Sequence, residues 1–266
     1  MSERLDVVLA VRGLARSRTH AASLIAAGTV TVDGRAVVKA GAKVDDDAVI
    51  EVAGADHYVS RAAHKLIAAL DAFAVDVAGR SALDMGASTG GFTQVLRERG
   101  AEPVIAVDVG HGQLAPEIAL DPAVVAVEGY NVRHMTPANL AEASGIRIVP
   151  QVVTGDLSFI SLTHVLPAVR SVCADDADVV LLVKPQFEVG RQGVREGLVT
   201  DPLLRVDAVS DVLWAAWDLG FGCLGVIASP VVGTHGNREA VVHLAPGRGS
   251  DPSEWWGTVN ETMGTR

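Results

Sequence analysis

Cysteine is almost missing from this chain: among 266 residues only Cys173 and Cys223 carry a thiol. Two cysteines so far apart supply neither a disulfide framework nor a metal-ligand spacing, and they point to a reducing compartment. No apolar run is long enough to span a bilayer, because the longest strand-like runs are cut by Lys184, Pro230 or Asp108. The segment Met1-Ser2-Glu3-Arg4-Leu5-Asp6 places charges where a signal peptide needs an apolar core. The expectation is a cytoplasmic protein with no membrane contact. Cations are in deficit too: 22 Lys and Arg against 32 Asp and Glu leave a formal charge of −10, the wrong sign for a protein that simply coats nucleic acid. His111, His134, His164, His235 and His243 share no metal-ligand spacing, and no serine or cysteine sits in a nucleophile elbow. No metal is expected. Internal repeats and low-complexity tracts are likewise lacking.

What the chain does have is apolar mass: 49% of its residues are hydrophobic, enough for one large domain and a small one. Residues 1–52 read as the small one. Leu5, Val8, Leu9 and Arg12 suggest a first helix ended by Gly13; Ser17 caps a second, with Ala21, Leu24 and Ile25 inward and Gly28 stopping it. Thr29–Val32 and Arg35–Val38 around Asp33-Gly34 predict a hairpin, and 48–52 a last strand. Asp45-Asp46-Asp47 is expected to be a solvated turn. Between Arg12 and Lys39 five cations (Arg12, Arg16, Arg18, Arg35, Lys39) face one anion, Asp33. That local excess is either a nucleic-acid patch or a solvated face.

Residues 53–59 read as a linker and 60–266 as the large domain. Ser60 begins a helix to about Phe73, buried through Ala63, Leu66, Ile67 and Leu70, with Lys65 off that stripe. From residue 80 strand-like runs at 81–84, 103–108, 123–127, 151–155, 178–183, 222–228 and 239–244 alternate with helical stretches at 92–99, 114–119, 137–143, 161–172 and 202–218. This predicts an α/β fold: a mostly parallel, doubly wound sheet with an antiparallel last strand. Ligands of such sheets lie beyond the carboxyl ends of the strands, which selects Asp84, Asp108, Asp156 and Lys184.

The run Asp84-Met85-Gly86-Ala87-Ser88-Thr89-Gly90-Gly91-Phe92 turns from the first strand into a helix. Its glycines let a ligand approach the backbone. It is neither the dinucleotide fingerprint nor a phosphate loop, and the scarcity of cations nearby suits a ligand without phosphates, such as S-adenosylmethionine. Asp108 is placed for a ribose diol, and Asn131, after the third strand, for the adenine or its ribose. Each has a plain alternative: an ordinary βα turn, or a strand-end aspartate capping the next helix. Lys184 ends an apolar run at the sheet mouth and must snorkel, pair with an acid, or react. Asp156, Glu239 and Lys65 point to the same rim, so these residues form either a reactive group or two rim salt bridges.

Several stretches together resemble a known family. Arg4-Leu5-Asp6, Ser17-Arg18 and Leu24 to Gly34 resemble the S4 RNA-binding domain, and Asp84 to Gln94 resembles the cofactor loop of FtsJ-like RNA ribose methyltransferases. With Ser60–Leu66, Gly155–Leu162, Val183–Glu188 and Ser229–Glu239, the chain closely resembles the TlyA family. The resemblance implies a class I, Rossmann-like methyltransferase with a small α+β S4-like domain. It implies methyl transfer from S-adenosylmethionine to cytidine 2′-hydroxyls of ribosomal RNA, 16S and/or 23S. A Lys-Asp-Lys-Glu catalytic tetrad falls on Lys65, Asp156, Lys184 and Glu239. The cofactor residues would be Asp84, Gly86, Ala87, Ser88, Gly90, Gly91, Phe92, Asp108 and Asn131. The RNA-binding residues would be Arg4, Arg12, Arg18, Arg35 and Lys39. The partner is then ribosomal RNA or a ribosomal subunit, with no protein partner implied. Some members carry the name haemolysin, so a membrane-active protein is one alternative; a non-catalytic RNA-binding assembly factor is the other.

Overall fold

The computed structural model describes residues 2–15, 17–45, 47–52, 57–190, 193–233 and 236–264. Arg16, Asp46, His235 and most of the expected linker (53–56) lie outside the described residues. The chain divides into two compact units, Met1–His57 and Tyr58–Arg266.

In the first unit, helices α1 (Leu5–Val11) and α2 (Arg18–Ala26) pack through Leu5, Leu9, Ala21 and Ile25, all fully buried. Ser17 caps α2 by accepting a hydrogen bond from His20 N, which satisfies one of the free donors of the first turn. Strands β1 (Ser2–Arg4) and β4 (Lys43–Asp45) form an antiparallel pair, while β2 (Val30–Val32) lies between β3 (Arg35–Ala36) and β5 (Ile50–Val52). The β2–β3 turn places Asp33 at φ 49° and Gly34 at φ 75°, the left-handed pair that matches the twist of a two-residue hairpin. Two features depart from the expectation. Asp45 is not part of a solvated turn; it is a strand residue paired with Ser2. The β1–β4 ribbon itself has no readable pattern, because only Val44 of its six residues is buried.

The second unit is built on a seven-stranded sheet, in the order β11-β12-β10-β9-β6-β7-β8. Its strands are β6 (Ala82–Met85), β7 (Val104–Val107), β8 (Val124–Val127), β9 (Val152–Gly155), β10 (Asp178–Val183), β11 (Phe221–Ala228) and β12 (Ala240–Pro246). All pairings are parallel except those of β12, which runs antiparallel to both β10 and β11. Side chains of β10 alternate between two cores. Val179, Leu181 and Val183 join one with Leu166, Val209 and Val259, while Val180 and Leu182 join the other with Leu66, Leu70 and Val95. Helices therefore cover both faces: α3 (Ala63–Phe73) and α4 (Gly91–Glu98) on one, α7 (Leu166–Val172), α9 (Pro202–Asp218) and α10 (Trp256–Met263) on the other, while the shorter α5 (Pro116–Ala119), α6 (Pro137–Ser144) and α8 (Pro185–Glu188) lie in the connections between strands. The expected helix at 161–172 is instead a one-turn 3₁₀ helix, Leu162–His164, followed by α7. Helix α10 was not expected.

Strand order reverses at β6, whose neighbours are β7 on one side and β9 on the other, so the cleft beyond these strand ends is where a ligand binds. One close packing fixes α3 against the sheet. A Cβ on Gly225 of β11 would overlap ring carbons of Phe73, the last residue of α3. Gly225→Ala is expected to cost about 1–3 kcal/mol, the usual penalty for overpacking. Thermal and denaturant unfolding of the variant check this.

Candidate active site

Four elements deliver four charged side chains to the carboxyl end of the sheet. Lys65 comes from α3, Asp156 follows β9, Lys184 follows β10 and Glu239 immediately precedes β12. Lys65 Nζ donates to Glu239 Oε2 at 2.8 Å and lies 3.5 Å from Asp156 Oδ2. Lys184 Nζ lies 2.6 Å from Asp156 Oδ1 and donates to Ser158 Oγ at 2.9 Å. The Lys184–Asp156 contact is ionic and off the angle of a hydrogen bond, which leaves the buried Asp156 Oδ1 without a hydrogen-bonded partner. The result is one chain of alternating charge, Glu239–Lys65–Asp156–Lys184, ending on the Ser158 hydroxyl. The two lysines and Glu239 are less than a tenth exposed, and charges so buried persist only when paired. Lys65, expected at this rim, lies inside it, held by two carboxylates.

In front of this chain lies a cleft with two lobes. The larger, about 470 Å³, is lined by Asp108, Gln113, Asn131 and Tyr130; the smaller, about 180 Å³, by Ala87, Gly91, Phe92 and Lys184. Gly86, Ser88, Asp156 and Ser158 border both. Lys65 and Glu239 border neither lobe, so of the four charged residues only Asp156 and Lys184 are placed to meet a ligand.

The glycine-rich run divides its work. Gly86 has φ 78°, and a Cβ there would sit 3.1 Å from the Asp156 carbonyl oxygen, so the loop passes tightly over the β9 end. Ser88, also left-handed at φ 48°, donates its N–H to Asp108 Oδ2 at 2.8 Å. Asp108 Oδ1 accepts from Gly110 N at 2.8 Å, and Asn131 Oδ1 accepts from Arg133 N at 3.0 Å. Both side chains shape the rim of the larger lobe.

Two expected cofactor residues are elsewhere. Gly90, at φ 98°, lines neither lobe; a Cβ there would come within 2.9 Å of Leu114 Cδ1 and 3.1 Å of Ile118 Cγ2, so helix packing excludes a side chain. Asp84 is 1% exposed, and its oxygens accept from Thr93 Oγ1 at 2.7 Å and Thr154 Oγ1 at 3.0 Å. It ties β6 to α4 and β9 beneath the loop rather than facing a ligand. Burial pushes its carboxyl up to about 6, against the pull of the two threonine hydrogen bonds, and the charge of Asp156 adds to the rise.

Sequence reasoning missed three features of the rim. Gln113 accepts from Ser88 Oγ at 3.2 Å and occupies the space a Cβ on Gly110 would need. Ser158 pairs with Lys184, and Phe159 projects into solvent, 92% exposed at φ 64°, with its ring 5.2 Å from that of Phe187. Isolated polar residues in short turns carry no periodic signal. Phe159 was legible only as an aromatic amid turn residues.

This sheet order, with a glycine-rich turn after its first strand and a carboxylate after its second, is the one expected of an S-adenosylmethionine-dependent methyltransferase. The cleft fits that cofactor: its larger lobe offers no lysine or arginine, which opposes a phosphate, and Asp156, which borders both lobes, suits a sulfonium cation. Comparison with known proteins agrees. Residues 58–245 match the FtsJ-like methyltransferase family, and residues 3–50 match the S4 domain. A Mycobacterium tuberculosis protein named 16S/23S rRNA (cytidine-2′-O)-methyltransferase TlyA is 52% identical over 91% of this chain and 89% of its own length. Hemolysin A of Brachyspira hyodysenteriae is 36% identical over 91% of this chain and 99% of its own. A solved Streptococcus thermophilus structure carrying a hemolysin name superposes with TM-score 0.74 at 37% identity, covering 98% of this chain and 95% of that one. The chain belongs to the TlyA family of FtsJ-like methyltransferases bearing an S4 domain.

The shifted Asp84 has a consequence for pH dependence. Its carboxyl rises from 3.8 to about 6 on folding, so the folded protein binds this proton more tightly. The stability it contributes is complete below the unfolded value and is lost as pH rises through about 6. Asp84→Asn should remove this decline, so that the stability difference between pH 4.5 and pH 7 is smaller in the variant than in the parent. Denaturant midpoints at both pH values measure it.

Proposed function

We propose that this protein transfers a methyl group from S-adenosylmethionine to the ribose 2′-hydroxyl of cytidine in 16S and/or 23S ribosomal RNA, acting in the cytoplasm. The observation that carries the reading is Lys184, set between Asp156 and Ser158 on the edge of the cofactor cleft. The relative from Mycobacterium tuberculosis supports the choice of substrate through its name. Among the described residues no helix is long and apolar enough to cross a membrane, and the hemolysin names of other relatives find no counterpart in the site.

When bound, the cofactor supplies a methyl already activated by its sulfonium. The chain's own task is alignment. Asp108, Asn131 and Gln113 bound the larger lobe and hold the adenosine there, with Gly86 and Ser88 admitting it against the backbone. Ala87, Gly91 and Phe92 shape the smaller lobe for the rest of the cofactor. Lys184 would hold the 2′-oxygen in line with the methyl, since alignment of reacting atoms supplies much of the rate in a transfer in which the O–C bond forms as the S–C bond breaks, S-adenosylhomocysteine leaves and the hydroxyl proton is released to water. Asp156 fixes Lys184, and Lys65 with Glu239 fixes Asp156 from behind. Asp84 and Gly90 serve the fold beneath the loop.

The S4 unit grips the RNA through phosphates and shape. Its five expected RNA-binding residues are not equivalent. Arg4 Nε lies 2.9 Å and Arg18 Nη2 3.2 Å from the Asp6 carboxylate, and Arg12 donates to Ala48 O at 2.7 Å. The Arg4 guanidinium holds Asp6 down at about 2, with Arg18 adding to the effect. Asp6 therefore offsets part of the positive charge that Arg4 and Arg18 present. Arg35 and Lys39 are exposed and are best placed to meet phosphates.

Removal of Lys184 by alanine should slow methyl transfer to ribosomal subunits by about 10²–10⁴-fold, the range for a group acting directly on the reacting atoms. Because Lys184 is buried against Asp156, the variant is also expected to melt lower, so melting alone does not separate catalysis from a salt-bridge role. Lys184→Arg does: it keeps the ion pair but places a planar fork where a single ammonium belongs. Stability near the parent's with transfer still abolished supports the proposal; parental transfer rates in the arginine variant reject it.

For RNA, Arg35→Glu and Lys39→Glu should each weaken binding and reduce the salt slope by about 1 for every phosphate that is no longer neutralised. Cofactor affinity should be unchanged. Filter binding across a salt series, with calorimetry of the cofactor, tests this; an unaltered slope in both variants returns the patch to a solvated face.

A further inference from the structure

Two residues before Glu239, the side chain of Asn237 is 3% exposed and borders neither lobe of the cleft. Its Oδ1 accepts from Val199 N at 3.2 Å and its Nδ2 donates to Gly197 O at 2.7 Å. A side-chain amide is suited to this, because it accepts and donates at once as a neighbouring strand would. The segment it grips is itself fixed. Arg195 and Leu198 exchange backbone hydrogen bonds at 2.9 and 2.8 Å around Glu196 and Gly197, both left-handed. Val199 O and Thr200 O accept from Arg205 Nη1 at 3.2 and 3.3 Å, and Arg205 Nε donates to Met263 O at 3.0 Å.

From Asn237 the ties run toward Glu239. Asn237 O accepts from Gly233 N at 2.9 Å, and Glu239 O accepts from Ser229 N at 2.8 Å, closing the loop between β11 and β12. Gly233 packs so tightly on the acid that a Cβ there would overlap Glu239 Oε1. The opposite oxygen, Oε2, holds Lys65. Glu239 is therefore confined on one side by Gly233 and engaged on the other by Lys65, while Asn237 anchors the loop carrying both.

We propose that Asn237 is a positioning residue for methyl transfer: by clasping the 197–199 backbone it holds Gly233 and Glu239 in the one arrangement that fixes Lys65, and through Lys65 it sets Asp156 and Lys184. This rests on the reading of the Lys65–Asp156–Lys184–Glu239 group given under Proposed function. The site's alignment then depends on a side chain that touches neither cofactor nor substrate. A shift of about an ångström in the reacting geometry is enough to cost on the order of 100-fold in rate.

The experiment measures kcat for methyl transfer to ribosomal subunits, cofactor affinity and melting temperature for the full chain carrying Asn237→Ala, Gly233→Ala, Glu239→Gln, and Asn237→Ala combined with Glu239→Gln. Asn237→Ala is expected to lower kcat by about 10- to 100-fold with cofactor affinity unchanged. Gly233→Ala, which leaves the Asn237 side-chain bonds intact but drives a methyl against the acid, should do the same. The double variant should be no slower than Glu239→Gln alone, because both changes disable one unit. If the alanine variant does not fold, Asn237→Asp, which keeps the acceptor for Val199 N and loses the donor to Gly197 O, makes the same comparison. Losses that multiply in the double variant, or a parental kcat accompanied only by a lower melting temperature, overturn the proposal while leaving the tetrad standing. A parental rate in Glu239→Gln overturns the tetrad itself, and Asn237 then has nothing to position.

Discussion

The Asp156 carboxylate lies between two buried ammonium groups, 2.6 Å from Lys184 and 3.5 Å from Lys65, and Lys65 is closed off in turn by Glu239 at 2.8 Å. Taking four charges out of water costs several kcal/mol per ion after relaxation. Only mutual pairing offsets that, so α3, β9, β10 and β12 must all reach the same point for any one of the charges to be tolerated. The arrangement links folding to function: the contacts that make burial bearable also fix Lys184 at the cleft. Gly225, which lets Phe73 press against β11, and Gly233, which leaves room for the Glu239 carboxylate, are places where a missing side chain makes the convergence possible.

The glycine-rich turn shows a similar economy. A loop that wraps a ligand must also pack against its own helix and strand. Gly86 and Gly91 border the cleft, while Gly90 faces Leu114 and Ile118. Asp84, the acid that introduces the turn, is committed to Thr93 and Thr154. What remains for the ligand is a lobe with carboxylates, amides and aromatic surface but no cation, the electrostatic complement of a positively charged, phosphate-free cofactor.

Electrostatics also explain how an acidic protein of formal charge −10 is compatible with RNA. Between Arg12 and Lys39 the S4 unit holds five cations and one anion, although residues 1–52 as a whole carry seven of each; steering by such a local patch is set by distances near the Debye length rather than by the net charge. Asp6 moderates that patch: by pairing with Arg4 and Arg18 it orients two guanidinium groups while reducing the charge they present.

Much of this protein was legible before any coordinates. The strands at 81–84, 151–155 and 178–183 appear within a residue of where the apolar runs put them, because a buried parallel strand must be apolar on both faces. Ser17 and Asp33-Gly34 act as read, since caps and left-handed turns depend on the nearest few residues alone. The types of all four charged residues and the cofactor loop were equally visible as motifs. The β1–β4 ribbon was not, with a single buried side chain to betray it, and neither was the identity of the acids that hold Lys65, 91 and 174 residues away. The sequence by itself determined the order of the strands in the large sheet with most of the helices between them, the residue types at the sheet mouth and the nature of the ligand they suit, because these follow from local pattern. Only the tertiary structure decided which acid holds which lysine, that Asp84 and Gly90 line neither lobe of the cleft, and that Gln113 and Ser158 border it, because those placements are set by distances between segments that the chain brings together only when folded.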